Sequence, residues 1–143
     1  MGLVATVCLL LLVLTTVIHY EVLRLLSNAL PALRMRTRPK LIIVIFGAFI
    51  AHAIEIVLYG LAFYLLARYQ GVGTLGDNLP LSFTRCLYFS GETYSSLGYG
   101  DIVPHGALRL LASMEALNGL LLIGWTASYT YVSMERFWND ADK

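Results

Sequence analysis

The chain has 143 residues, of which 58% are hydrophobic and only 13% are charged, and its mean hydropathy is +0.71. This composition is too apolar for an ordinary soluble domain of that length and indicates a membrane protein. The net charge of +1 provides no overall basic field, so nothing in the composition points to nucleic acid as a partner.

The first apolar segment contains no charged side chain between Gly2 and Ile18. A bilayer core of ~30 Å requires roughly 20 helical residues, so residues 2–22 predict a transmembrane helix. The helix can continue toward Pro31, where the missing N–H favours a break. The segment lacks the basic start and the cleavage pattern of a secretory signal. We therefore interpret residues 1–30 as a retained N-terminal transmembrane helix.

Basic residues concentrate around the connection that follows, residues 31–40. They are Arg24, Arg34, Arg36, Arg38 and Lys40. Because cytoplasmic flanks are enriched in Lys and Arg, this connection is predicted to be cytoplasmic and the N-terminus to lie outside. The resulting topology places seven Lys and Arg residues inside and three outside. We expect an integral protein of a bacterial inner (plasma) membrane with a cytoplasmic C-terminus.

Two further stretches can cross the membrane, residues 41–67 and 107–134. The loop between them is rich in turn residues, and Ser82 can cap a short helix over residues 83–94 that is too short to span. Irregular backbone at membrane depth requires surrounding protein or a water-filled path. The predicted units are thus a membrane-embedded domain at 41–134 and a short cytoplasmic tail at 135–143.

The short helix leads into the run TYSSLGYGD at residues 93–101. Gly98 and Gly100 permit left-handed backbone angles, and alternating such residues with ordinary ones turns successive carbonyl oxygens to one side. Rings of such oxygens can replace the water around a cation. The motif and the order of helices resemble the potassium-channel pore-domain family. The resemblance implies an all-α membrane protein of three transmembrane helices, a re-entrant pore helix and an extended filter, assembled as a homotetramer.

The resemblance also implies a function without enzymatic activity or a cofactor, in which potassium ions pass through the bilayer along the filter. The implied filter residues are Ser96, Leu97, Gly98, Tyr99 and Gly100, with K⁺ at the first four. Ser96 stands where the family has threonine and Leu97 where it usually has valine. These two departures keep a weakly selective cation channel open as an alternative, and a non-conducting regulatory subunit is another.

Three residues match positions that support the filter in a bacterial proton-gated member of the family, namely Tyr88, Glu92 and Asp101. Two carboxyls held close together in a site of low dielectric constant cannot both ionise easily. The pair of Glu92 and Asp101 is either a latch whose protonation tunes inactivation or a static hydrogen bond.

Two glycines of the last helix, Gly119 and Gly124, are candidates for a gating hinge. Glycine is also common in membrane helices for close packing, so both interpretations stay open.

Four polar side chains lie at membrane depth, namely His52, Glu55, Glu115 and Asn118. Ionisable groups there are expensive and are functional candidates by default. Their predicted depths allow one cluster, which would act as neutral hydrogen-bonded groups, as a proton sensor or as a zinc or iron site. An intramembrane metalloenzyme built on His52, Glu55 and Glu115 is the remote alternative.

Overall fold

The computed structural model describes residues 2–32, 37–76 and 80–141. These form four helices, with one π-helical turn after the second. The helices are α1 (Gly2–Ala32), α2 (Thr37–Leu65, followed by the π-helical turn Leu66–Gln70), α3 (Phe83–Tyr94) and α4 (Leu108–Ala141). Three stretches, Gly2–Ala32, Pro39–Gln70 and Leu108–Arg136, are long and apolar enough to cross a membrane. The predicted all-α membrane architecture is confirmed.

Helix α1 extends past the predicted transmembrane segment and includes Pro31. The proline ring removes the hydrogen bond to the carbonyl of Ser27, and the helix ends one residue later, at Ala32. The basic connection was predicted to span residues 31–40. Its residues 33–36, with Arg34 and Arg36, lie outside the described part of the chain.

Helix α3 has the predicted bounds, and its start is capped as expected. The amide of Arg85 donates to Ser82 Oγ at 3.3 Å, which satisfies one of the free N–H groups of the first turn. Helix α4 continues beyond Met134. Residues 135–141 of the predicted cytoplasmic tail are helical, and no glycine or proline interrupts them.

The short helix α3 packs against α2 and α4, and α1 packs against the same two helices. The core between α2 and α3 includes the rings of Phe63 and Phe89, which meet edge to face with centroids 5.0 Å apart. Val4 and Cys8 of α1 complete this core from the other side. The added N-terminal helix is therefore part of the same packed unit as the other three.

A backbone pairing joins the loop after α2 to the loop before α4. Gly76 N donates to Val103 O at 3.0 Å, and Leu75 and Pro104 form an antiparallel bridge. Two more amides, of His105 and Ala107, donate to carbonyls of residues 74 and 72 at 2.8 and 3.0 Å. We call residues 72–76 and 103–107 the outer strap. Its two halves lie before α3 and after the segment that follows α3, so the strap connects the chain on both sides of this region.

Candidate functional site

In the segment after α3, positive φ angles occur at every second residue. Ser96, Gly98 and Gly100 have φ angles of +58°, +56° and +80°, and no positive φ occurs at Leu97 or Tyr99. A positive φ is ordinary for glycine and uncommon for serine. Such alternation directs successive carbonyl oxygens to the same side, which is the arrangement that a row of cation sites requires. The structure thus has the backbone pattern that the sequence predicts for residues 96–100.

One residue of α3 holds this segment in place. The carbonyl oxygen of Glu92 accepts from the amides of Leu97 at 2.9 Å and Gly98 at 3.2 Å. Its carboxylate Oε2 accepts from the Tyr99 amide at 3.1 Å. Glu92 is only 5% exposed, so these three bonds are largely shielded from water. A single buried residue therefore positions three consecutive amides of the candidate filter.

Two other predicted supporting residues lie beside this anchor. The rings of Tyr88 and Tyr99 are stacked, with centroids 6.5 Å apart and planes inclined by 5°. Asp101 interacts electrostatically with Tyr88 and Glu92. Burial raises the pKa of Glu92, the Tyr99 amide opposes this, and the charge of Asp101 adds to it. The environment of Glu92 thus favours its neutral form, which agrees with either interpretation of the pair.

The end of α3 also faces this segment. Its last carbonyl groups carry the partial negative charge of the helix dipole, which favours a nearby cation.

The two glycines of α4 differ in their surroundings. A Cβ at Gly119 would lie 2.9 Å from the Tyr94 carbonyl carbon and closer still to its oxygen, so only glycine lets α4 approach the end of α3 there. A Cβ at Gly124 would meet nothing within 4 Å. Helix α4 is continuous through both positions. Close packing accounts for Gly119, and the role of either glycine as a hinge stays a prediction.

The four polar side chains do not form the single cluster that was predicted. Glu115 Oε1 accepts from Ser90 Oγ at 2.5 Å, whereas Asn118 Nδ2 donates to Thr15 Oγ1 at 2.7 Å and to Tyr59 Oη at 3.1 Å. The rise per residue predicted comparable depths, but it does not give the direction in which each side chain leaves its helix. These two side chains therefore have partners other than His52 and Glu55.

The predicted pair of His52 and Glu55 is present, and a residue that sequence reasoning missed completes it. His19 Nδ1 lies 3.0 Å from Glu55 Oε1, and His52 Nδ1 lies 3.2 Å from Glu55 Oε2. Both imidazole Nε2 atoms approach Thr126 Oγ1, at 3.1 Å from His19 and 3.0 Å from His52. The Tyr94 hydroxyl donates to Glu55 Oε2 and lies 2.8 Å from His52 Nδ1. We call these five residues the histidine cluster.

His19 had a signal in the sequence. It is an ionisable residue that directly follows the uncharged stretch from Gly2 to Ile18, and such residues inside a span are functional candidates. His19 and Glu55 are fully buried, whereas the His52 side chain is 17% exposed. The cluster joins α1, α2 and α4 to the last residue of α3, Tyr94.

Comparison with known proteins identifies the class that this fold and segment define. A family model described as "Ion channel" matches residues 41–136. The chain belongs to this family, which confirms the predicted potassium-channel pore-domain type. The matched region includes two of the three helices that can cross a membrane.

Two relatives are similar over parts of the chain. The inward rectifier potassium channel Kirbac3.1 of Paramagnetospirillum magnetotacticum is 38% identical over 77 residues, which is 52% of this chain and 26% of that protein. The uncharacterized membrane protein YdjJ of Bacillus subtilis (strain 168) is 39% identical over 51 residues, 35% of this chain and 15% of that protein. The chain thus aligns with about a quarter or less of either relative. No solved structure gives a significant match.

Proposed function

We propose that this protein is a potassium-selective channel that conducts dehydrated K⁺ through rings of carbonyl oxygens from residues 96–99. The observation that carries this proposal is the positive φ angle at every second residue, Ser96, Gly98 and Gly100. Hydrogen bonds to Glu92 hold this segment in place. The similarity to an inward rectifier potassium channel supports the choice of ion. Conduction then requires several adjacent sites that each bind weakly enough to release the ion.

The proposed assembly is a homotetramer. One chain contributes a single filter segment, so a closed ring of oxygens needs several copies around one axis. Leu97 is 57% exposed and Tyr99 is 68% exposed in the single chain. Large apolar and aromatic side chains on one segment favour a partner surface, and the neighbouring copies would provide it.

The proposed orientation places the N-terminus and the outer strap outside and the connection between α1 and α2 in the cytoplasm. It rests on the excess of Lys and Arg on the inner side. The proposed location is a bacterial inner membrane.

Within the filter we propose that Glu92 and Asp101 act as a latch. Glu92 already bonds to the Tyr99 amide, so a change in its protonation would act on the filter backbone directly. Tyr88, stacked on the Tyr99 ring, would support the same segment from α3.

A second candidate function is a weakly selective cation channel. The observation that favours it is Ser96, a residue with φ of +58° at the deepest proposed site. A left-handed angle costs a residue with a Cβ roughly 1–2 kcal/mol. The backbone conformation that would form the innermost ring, at Ser96, is therefore less favourable than the same conformation at the two glycines.

Flux from liposomes that contain only this protein tests the proposal. We expect K⁺ flux to exceed Na⁺ flux and barium to block it. Equal fluxes of the two ions would favour the weakly selective channel, and the absence of flux from correctly inserted protein would favour the regulatory subunit. Chemical crosslinking in the same liposomes measures the number of chains in each assembly independently of flux.

A further inference from the structure

The histidine cluster brings three potential metal ligands from two helices to one point. One ligand atom each from His19, His52 and Glu55 lies within 4.8 Å of the other two. The two Nδ1 to carboxylate distances are 3.0 and 3.2 Å. Two ligand atoms at roughly 2.0–2.1 Å from a tetrahedral Zn²⁺ are about 3.3 Å apart. The two distances reach different oxygens of the Glu55 carboxylate, Oε1 and Oε2, and each is close to the separation of two ligands around one small ion.

Thr126 gives both imidazoles the second contact that a metal site needs. Metal-binding histidines donate the N–H of their other ring nitrogen to a fixed acceptor. A hydroxyl oxygen has two lone pairs and can accept from both rings. Thr126 Oγ1 lies within hydrogen-bond distance of both Nε2 atoms. If both ring protons lie on Nε2, both Nδ1 lone pairs face the Glu55 carboxylate, and a cation bound between them would relieve the repulsion.

The Tyr94 hydroxyl positions the carboxylate of this set. It donates to Glu55 Oε2 and lies 2.8 Å from His52 Nδ1. Two imidazole nitrogens and a carboxylate are three ligands suited to borderline divalent ions, and they leave a fourth position for water. Neighbouring rings restrict the imidazoles, since His19 packs 5.1 Å from His52 and 5.4 Å from Trp125 between centroids.

We propose that His19, His52 and Glu55 bind one divalent transition-metal ion of the Zn²⁺ type, with Thr126 positioning both imidazoles and Tyr94 positioning the carboxylate. This site is separate from the K⁺ path and goes beyond the proposed channel function. A cavity of about 120 Å³ is lined in part by His52 and Thr126, on the side where the cluster is least buried.

The bound ion would fasten α1 to the pore domain. His19 lies outside the region that the family model matches, which begins at residue 41. Tyr94 is the last residue of α3 and lies two residues before Ser96. The ion would therefore tie the added helix to the base of the candidate filter.

Metal loading of the purified full chain tests the site. The protein in detergent is loaded with Co²⁺, desalted and measured for bound metal and visible absorption. We expect one Co²⁺ per chain, the d–d absorption of a four-coordinate ion, and loss of that absorption when Zn²⁺ is added. The spectrum comes from the unaltered protein, so it remains decisive if a variant fails to fold.

Variants then assign the ligands. His19→Gln and His52→Gln should abolish stoichiometric binding, and His105→Gln, in the outer strap, should retain it. Thr126→Val should weaken Co²⁺ binding about 10–100-fold, the effect typical of removing an outer-shell partner, while Thr130→Val should not. Unaltered protein without bound Co²⁺, or His19→Gln protein that folds and binds like the wild type, would overturn the proposal in favour of a cluster held by protons alone.

Discussion

The main-chain amide of Tyr99 donates a 3.1 Å hydrogen bond to the carboxylate of Glu92, seven residues earlier in the chain. Replacing Glu92 with alanine removes this acceptor but leaves the carbonyl of residue 92, which holds Leu97 and Gly98. We expect Glu92→Ala channels to conduct with altered open times, whereas Glu92→Gln, which keeps an acceptor, changes them less. Single-channel recording measures both. Open times in Glu92→Ala that match the wild type would reject the latch.

The same carboxyl predicts a pH dependence of stability. Burial raises the pKa of Glu92 above its ordinary value of 4.5, so the folded state binds this proton more tightly than the unfolded state. The stabilising contribution is complete below pH 4.5 and is lost as the pH rises through the higher folded-state value. Melting temperatures recorded from roughly pH 4 to 8 should fall less with pH in Glu92→Gln than in the wild type. Identical slopes would contradict this assignment.

Alanine variants of two glycines with nearly the same φ angle distinguish loss of filter geometry from loss of stability. Gly71 and Gly98 have φ of +58° and +56°, and a Cβ at either would meet nothing within 4 Å. Alanine at each should cost a similar ~1–2 kcal/mol of folding free energy, because the left-handed angle is the same. Only Gly98→Ala should abolish K⁺ flux in liposomes. Equal loss of flux in both variants would show that the effect is general destabilisation.

The packing of α4 on the end of α3 predicts an asymmetry between its glycines. Gly119→Ala forces a methyl group against the Tyr94 carbonyl and should destabilise the protein by about 1–3 kcal/mol or more. Gly124→Ala has open space and gains up to ~1 kcal/mol of helix propensity. Thermal unfolding in detergent compares them. Equal stability of the two variants would argue against the close contact at Gly119.

The bond from Asn118 to Thr15 predicts coupling between α4 and α1. In a double-mutant cycle, Asn118→Ala and Thr15→Val should couple by about 0.6 kcal/mol and no more than ~1.7, the range of such bonds in membranes. Thr6→Val is the matched control, since the Thr6 hydroxyl donates within its own helix, to the carbonyl of Gly2. Coupling as large with Thr6 as with Thr15 would contradict the contact.

The sequence predicted the parts of this fold that depend on local chemistry. The bounds of α3 followed from its Ser82 cap and from the turn residues around it, and three spans followed from apolar length. The positive φ angles within residues 96–100 were predictable because the alternating glycines permit left-handed backbone angles there. These features are encoded within a few residues of one another.

The arrangement of polar groups could not be predicted in the same way. Whether Glu115 meets Ser90 or His52 depends on how helices are rotated about their axes, which apolar composition around the whole helix leaves undetermined. The contact of His19 with Glu55 joins residues 36 positions apart on separate helices. Hydropathy alone does not say which faces of α1 and α2 meet.

The outer strap and the carbonyl of Glu92 hold the candidate filter at its two ends, near residue 103 and residue 97. A segment with fixed ends cannot lengthen or slide, so it changes shape only by compensating rotations about neighbouring φ and ψ angles, which flip single peptide planes. In the proposed channel, such flips would turn a carbonyl oxygen away from its ring without displacing α4. Closure at the filter would then be a local rotation of peptide planes, with the helices staying in place.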